Sequence, residues 1–397
     1  MKGEVRIKSQ PIVASMDEKT CRGARPDAPT DAGSTQPLRP AKSDSPGTAR
    51  DEAFDLLGAM MVAARAAGLV ALGLELGLYR VMAGRGPLTS IEVADKAGLH
   101  ERWVREWLYA QSAAGVVSYA GDARFEVSDE VAALLADESS ILYMGGNFTT
   151  LPNQLSLLPR LGEAFHTGRG LTFDERGLGS AEDGELLMGN WYRQVLVTTA
   201  LPQLDGVIDR LREGAVVADV GCGSGIAILE MARAFPASTF HGYDVSVHAL
   251  ERAESRRAAC GANNVTFHDV ESDPLPREST FDLVTTFDCL HDMTRPVDTV
   301  RAIRSAIVDD GVWFIVDINC APTFEQNLRR RRFATMLYST SVYACLSLAM
   351  SESGGAGLGT CGLSEPVLRE LVGEGGFSRF RRLDIEHLVN AFYEVRP

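Results

Sequence analysis

The sequence contains no apolar run approaching the ~20 residues that cross a bilayer, so no membrane-spanning segment is expected. Met1–Ala14 lacks the apolar centre of a signal peptide, which points to the cytoplasm. Cysteine is sparse: the seven thiols (Cys21, Cys222, Cys260, Cys289, Cys320, Cys345 and Cys361) are odd in number, widely spaced and include no C-x-x-C pair. That excludes a disulfide framework and a structural zinc site. Positive charge is also short, with 39 Lys and Arg against 53 Asp and Glu and a net charge of −14. Nucleic acid, whose phosphates need clustered cations, is a poor partner for such a chain. Neither G-x-G-x-x-G nor G-K-[ST] occurs at the chain's main glycine turn, which argues against a dinucleotide or P-loop site there.

What is present is an ordinary globular composition, 45% hydrophobic and 23% charged over 397 residues. This length holds two or three domains. Residues 1–50 carry six of the 17 prolines, a charge of +3 and no apolar periodicity, and are expected to be a disordered tail. From Asp51 the apolar residues Phe54, Leu57, Met61 and Ala64, and then Leu69, Leu72, Leu76 and Tyr79, recur at three or four positions, the period of a helix.

Two more helical runs follow, Ile91–Leu99 with Ile91, Ala94 and Ala97 on one face, and His100–Ala114 burying Val104, Trp107, Leu108 and Ser112 or Ala113. Trp103 and Trp107, one turn apart, are both expected in the core. Val116–Tyr119 and Phe125–Val127 around the turn at residues 120–123 read as a hairpin, making residues 51–140 a winged-helix-like domain. With 7 cations against 14 acids there, and only Arg102 and Arg105 on the second helix, dimerisation is the better role than DNA binding. Residues 141–190 should be linking helices and a substrate-pocket segment.

From residue 191 to 397 strands and helices alternate. Val216–Val220, Thr239–Tyr243, Val265–Phe267, Phe281–Thr286 and Val312–Asp317 are near-continuous apolar runs, as parallel strands buried on both faces must be. Amphipathic helices at about 226–235, 247–260 and 296–307 lie between them, and residues 379–384 and 391–395 add two last strands, the final one antiparallel. The expected fold is α/β: a doubly wound, Rossmann-like, mostly parallel seven-stranded sheet behind the smaller helical domain.

In such a sheet a ligand sits at the carboxyl ends of the strands. The first strand-to-helix turn reads Asp219-Val-Gly221-Cys-Gly223-Ser-Gly225, and an acid two residues ahead of the glycines suits a cation rather than a pyrophosphate. Asp244, 19 residues past Gly225, can accept the hydroxyls of a ribose, and Asp269 at the end of the third strand the amine of an adenine. Val245 and Val270 follow these acids as apolar neighbours for the ring.

These residues resemble the class I S-adenosylmethionine-dependent methyltransferases, with VADVGCGSG (217–225), GYD (242–244) and HDV (268–270) as three successive motifs. The resemblance implies S-adenosylmethionine as cofactor, bound by Asp219, Gly221, Gly223, Gly225, Asp244, Val245, Asp269 and Val270, with Phe287 and Asp288 beside them. The chain from about Asp51 is also similar to a bacterial subgroup with a winged-helix-like N-terminal domain, itself similar to small-molecule O-methyltransferases. AFHTGRGLTFDE (164–175), FDCLHDM (287–293) and SGGAGLGTCG (353–362) look like that subgroup's segments. It implies a small-molecule substrate and a homodimer.

His291 follows the fourth strand, at the place where a His of the O-methyltransferases removes the acceptor's proton. An imidazole with an ordinary pKa of ~6.5 suits that task at neutral pH. Asp292 or Asp288 could orient it, and Asp317 is open to either job. No metal is expected, since Asp288, His291 and Asp292 have no second His at ligand spacing. A methyltransferase-like transcriptional regulator, or metal-assisted C- or N-methylation, stays as the alternative.

Overall fold

The computed structural model describes residues 48–177 and 179–397. The expected tail at 1–50 therefore falls almost wholly outside the described residues. Residues 47–397 form one compact unit.

The chain enters through a 27-residue helix, α1 (Ala49–Glu75), followed by the short α2 (Leu78–Met82). Strand β1 (Leu88–Thr89) leads into α3 (Ser90–Ala97), whose start is set by Thr89 and Glu92: the Thr89 amide donates to the Glu92 carboxylate at 2.7 Å. Helix α4 (Glu101–Ala113) and the hairpin β2 (Ser118–Gly121) and β3 (Arg124–Glu126) complete a winged helix, with β1 pairing on β3. The turn is tighter than the sequence reading placed it. Asp122 and Ala123 alone reverse the chain, both at positive φ (48° and 55°), the geometry that matches the twist of hairpin strands.

The core of this domain contains Val70, Tyr79, Met82, Val93, Val104, Trp107, Leu108 and Phe125. Helix α1 comes so close to α4 that a Cβ on Gly73 would lie 2.4 Å from the Trp107 ring, whose Nε1–H donates to the Leu69 carbonyl at 2.9 Å.

Several expectations fail here, each because periodicity shows that a face is apolar without showing what covers it. Ile91 is exposed, and Val93 takes its place inside beside Ala94. Trp103 is 79% exposed while its neighbour Trp107 is buried. Gln111, rather than Ser112 or Ala113, closes the buried stripe of α4 and accepts a hydrogen bond from the Tyr79 hydroxyl at 2.8 Å. Most of all, α1 is long and apolar enough to cross a membrane, with a mean hydropathy of 1.8, contrary to the expectation that no such run exists. Arg65 divides that run in the sequence. Only 17% of the stretch is buried, and Phe54, Leu57 and Met61 stand in the open.

The second half is a seven-stranded sheet in the order β6-β5-β4-β7-β8-β10-β9. Its members are β4 (Val216–Val220), β5 (Thr239–Asp244), β6 (Val265–Asp269), β7 (Phe281–Phe287), β8 (Ile307–Ile318), β9 (Arg379–Arg382) and β10 (Asn390–Arg396). All neighbours are parallel except β10, which runs antiparallel to both β8 and β9. Strand β8 begins at Ile307, five residues before the expected start.

Alternate residues feed two cores, one on each face: Val217 and Phe314 on one side, Ala218, Trp313 and Ile315 on the other. Both faces are thus closed. Because β4 has β5 on one side and β7 on the other, the strand order reverses at its carboxyl end, the place where open α/β sheets take their ligands.

Candidate active site

Asp219 is the last but one residue of β4 and is 1% exposed. It lies opposite Thr285 of β7, whose hydroxyl donates to Oδ1 at 2.7 Å, while Oδ2 is buried with no hydrogen-bond partner among the described residues. Burial raises its pKa to about 7, helped by Asp244 and opposed by Thr285.

The glycine turn that follows has Gly221, Gly223 and Gly225 all at positive φ. The three do different work. A Cβ at Gly221 would meet Cys289 Sγ at 2.7 Å and one at Gly225 the Phe267 ring at 2.8 Å, so these two serve protein packing. Only at Gly223 does the missing Cβ leave open space.

Asp244 ties this turn to the end of β5, accepting from the Gly223 amide at 2.7 Å and the Ser246 amide at 2.9 Å. Burial nevertheless raises its pKa above the usual value. Asp174, a residue without an expected role, joins the same corner: it accepts from the Ser246 hydroxyl at 2.6 Å and the Val247 amide at 3.2 Å. At the end of β6, Asp269 is half-buried and spends its oxygens on the Glu271 amide and the Ser272 hydroxyl, a local turn, while Val270 donates to the Asp244 carbonyl at 3.0 Å. Val245 is exposed. Phe287 does not line an open site: it is buried among Trp191, Tyr192 and Phe314.

Beyond β7 the backbone takes a positive φ (50°) at Asp288, whose amide donates to the Val316 carbonyl and whose carboxylate accepts from Asn390. A single 3₁₀ turn, Leu290–Asp292, then carries His291. His291 is 2% exposed, its Nδ1 sits 2.8 Å from Asp317 Oδ1 and its Nε2 3.3 Å from Cys345 Sγ. Of the candidates to orient it, the structure brings Asp317 into contact. Asp317 itself has Oδ2 buried without a hydrogen-bond partner.

Burial disfavours the imidazolium, but Asp317 and Cys345 outweigh it and hold His291 well above its ordinary 6.5. Asp288 and Asp292 are both raised to about 7, mainly by burial; Asp317 adds repulsion to each, His291 opposes in both, and Arg176 lowers Asp292. Tyr192, half-buried near Asp288 and Asp219, and Arg176 and Cys345 belong to this cluster and carried no signal in the sequence. Two trios place possible metal-ligating atoms within 4.8 Å of one another: His291, Asp292 and Cys345, and Asp288, His291 and Asp317.

Residues 211–359 match a family model described as a methyltransferase domain, and residues 64–137 one described as an Rv2258c-like winged HTH domain. The chain thus carries a methyltransferase domain with a winged HTH domain in front of it. The chain is similar to the ubiquinone biosynthesis O-methyltransferases of Paracidovorax citrulli (32% identity over 118 residues, 29% of this chain and 49% of that one) and Neisseria meningitidis (32% over 124 residues, 31% and 51%). It spans about half the length of these curated relatives.

Among solved structures it shares its fold with a putative O-methyltransferase from Nostoc punctiforme (TM-score 0.65, 17% identity, covering 89% of this chain and 100% of that one). Human N-acetylserotonin methyltransferase in complex with S-adenosylmethionine is similarly related (0.62, 16%, 88% and 99%), as is the mitomycin 7-O-methyltransferase MmcR (0.61, 19%, 88% and 98%).

The electrostatics of β4 yield a test. Folding raises the Asp219 pKa from 3.8 to about 7, so the stability contributed by its protonated form is whole below pH 3.8 and is lost as pH climbs through 7. In the ligand-free protein, Asp219→Asn should therefore show a smaller fall in Tm between about pH 5 and pH 8 than the parent. Equal slopes would place the titrating group elsewhere.

Proposed function

We propose that the methyltransferase uses S-adenosylmethionine to methylate a small apolar or aromatic molecule, most directly at a hydroxyl oxygen, with His291 as general base. The observation that carries this reading is the buried Asp317–His291 pair at the carboxyl ends of the sheet, His291 on the turn after β7, the strand next to β4, and Asp317 near the end of β8.

The residues present fit the donor. Asp219 offers a buried oxygen in need of a cationic partner, Gly223 leaves space against bare backbone, and the Asp244 carboxylate keeps free lone pairs after accepting two amides. Asp244 would take the ribose and Asp269 the adenine, with Val245 and Val270 beside them; Gly221 and Gly225 shape the turn, and Phe287 supports it from the core. When bound, the donor supplies a methyl group made electrophilic by its sulfonium.

Asp317 fixes the imidazole through Nδ1, which leaves Nε2 to take the acceptor's proton, and its charge stabilises the imidazolium that results. Cys345 has to release Nε2 first. Asp292 and Asp288 flank the imidazole and set the local field. Proximity, alignment and exclusion of water supply the remainder.

The chemistry of the acceptor is suggested by a cavity of about 630 Å³ lined by Leu158, Leu161, Phe165, Phe324, Tyr338 and Tyr343. It lies along the segment that carries Cys345 to His291, and its walls are almost wholly apolar. An aromatic or aliphatic alcohol fits it better than a charged metabolite.

His291→Gln should leave affinity for S-adenosylhomocysteine within about 0.5 kcal/mol and lower turnover roughly 10²- to 10⁴-fold. Because the folded protein raises the imidazole's pKa, the wild-type rate should rise with pH along a limb above the ordinary 6.5, not at 6 to 7, and the variant should lack that limb. Release of S-adenosylhomocysteine across a panel of phenols and hydroxylated polyketides reads this out. An unchanged rate and profile would reduce His291 to a wall of the pocket.

The methyltransferase also acts, in this reading, as a homodimer in the reducing cytoplasm, where the free thiols of the described residues are stable. Its winged helix serves as scaffold rather than DNA reader: Arg102 and Arg105 are paired with Glu106 and Glu101 of the same helix. The open apolar residues Phe54 and Leu57 of α1 are what a second copy would cover. Replacing both by Asp should halve the mass measured by light scattering. A parent protein that is already monomeric, or a double variant of unchanged mass, contradicts the dimer.

A further inference from the structure

His291, Asp292 and Cys345 carry a second possibility that the methyl-transfer reading does not use. A ring nitrogen, a carboxylate oxygen and a thiol come within 4.8 Å of one another, from a 3₁₀ turn after β7 and from the helical segment ending at Cys345, 54 residues beyond His291. The Nε2 and Sγ atoms are 3.3 Å apart. Two ligands of one tetrahedral zinc ion stand roughly 3.5 Å apart, given Zn–N near 2.0 Å and Zn–S near 2.3 Å. The pair is thus already at ligand spacing, and an Asp292 oxygen lies within 4.8 Å of both atoms.

The other ring nitrogen strengthens the case. Metal-bound histidines commonly give their second N–H to a carboxylate, which fixes the ring and raises its basicity. Asp317 occupies that position on Nδ1 at 2.8 Å, and its own backbone neighbour, the Ile318 amide, steadies Oδ1 at 2.7 Å. The charge balance points the same way: Asp288, Asp292 and Asp317 crowd one buried place, with His291 and Arg176 as the opposing charges acting on it. A divalent cation relieves that crowding. The donor set chooses the ion, since thiolate and imidazole suit zinc, whereas magnesium and calcium take oxygen ligands.

We propose that His291 Nε2, Cys345 Sγ and an Asp292 oxygen form a three-ligand site for zinc, with its fourth position open. Binding releases to solvent the Cys345 proton as the thiolate forms and, from the imidazolium, the His291 Nε2 proton, while Nδ1 keeps its proton toward Asp317. Zinc on Nε2 leaves that nitrogen unable to accept a proton. The site stands on the cluster alone and does not depend on the methyl-transfer reading, because its binding is measured with neither donor nor acceptor present.

The full chain, stripped with a chelator, is titrated with zinc chloride in a calorimeter and with cobalt(II) in a spectrophotometer. One equivalent of zinc should bind per chain, and cobalt should give a thiolate-to-metal charge-transfer band. Cys345→Ser and His291→Gln should each abolish that equivalent, and Asp317→Asn should weaken it about 10- to 100-fold by loosening the ring. Cobalt without the charge-transfer band in the parent protein overturns the proposal even if the variants fail to fold. So do absence of zinc binding, retention of the equivalent in Cys345→Ser, or its loss only in Asp288→Asn, which would move the ion to the trio of Asp288, His291 and Asp317.

Discussion

A parallel sheet covered on both faces has only its strand ends left for chemistry, and everything polar in this molecule is arranged under that constraint. Val217, Phe314, Trp313 and Ile315 seal the two faces. The carboxylates that the sequence places at strand termini consequently converge on one edge: Asp219 from β4, Asp244 from β5, Asp269 from β6, Asp288 just past β7 and Asp317 from β8. Strand pairing also sets their spacing. Asp219 finds the Thr285 hydroxyl because β4 and β7 are in register there, and Phe287 of β7 is in register with Val316 of β8, which brings the turn bearing His291 to Asp317.

Burial at this edge is costly for charge, and the cost is tied to function. Burial raises Asp219 to about 7, and the imidazole of His291 is held above its ordinary range by Asp317. Sites that do acid–base chemistry characteristically push titratable groups apart from their usual values. Here one mechanism, loss of water, pushes the isolated acids up, while a close carboxylate overrides the same loss for the histidine.

Much of this was legible in the sequence. The five parallel strands announce themselves as continuous apolar runs because both of their faces are buried, and the acids that end them are visible for the same reason: the run stops where the chain reaches water. The glycine turn was legible as a turn, but not the division of labour within it, since the proximity of Cys289 to Gly221 and of Phe267 to Gly225 is a tertiary fact. Long-range partners left no trace. Cys345 lies 54 residues beyond His291, and Asp174 lies 72 before Ser246, with no periodicity linking either pair. The helical period of α1 was readable, whereas its exposure was not: an apolar face implies a cover, and the sequence does not say whether that cover belongs to the same chain.

The central claim is that the edge around β4 holds a cationic nucleoside donor and not a dinucleotide. Calorimetry with S-adenosylhomocysteine, S-adenosylmethionine and NAD tests it most directly. Both sulfur nucleosides should bind, NAD should not, and Asp244→Ala should weaken the first two by about 1 to 3 kcal/mol, the loss of a charged acceptor for the ribose hydroxyls. Tight binding of NAD with no heat from S-adenosylhomocysteine would contradict the account.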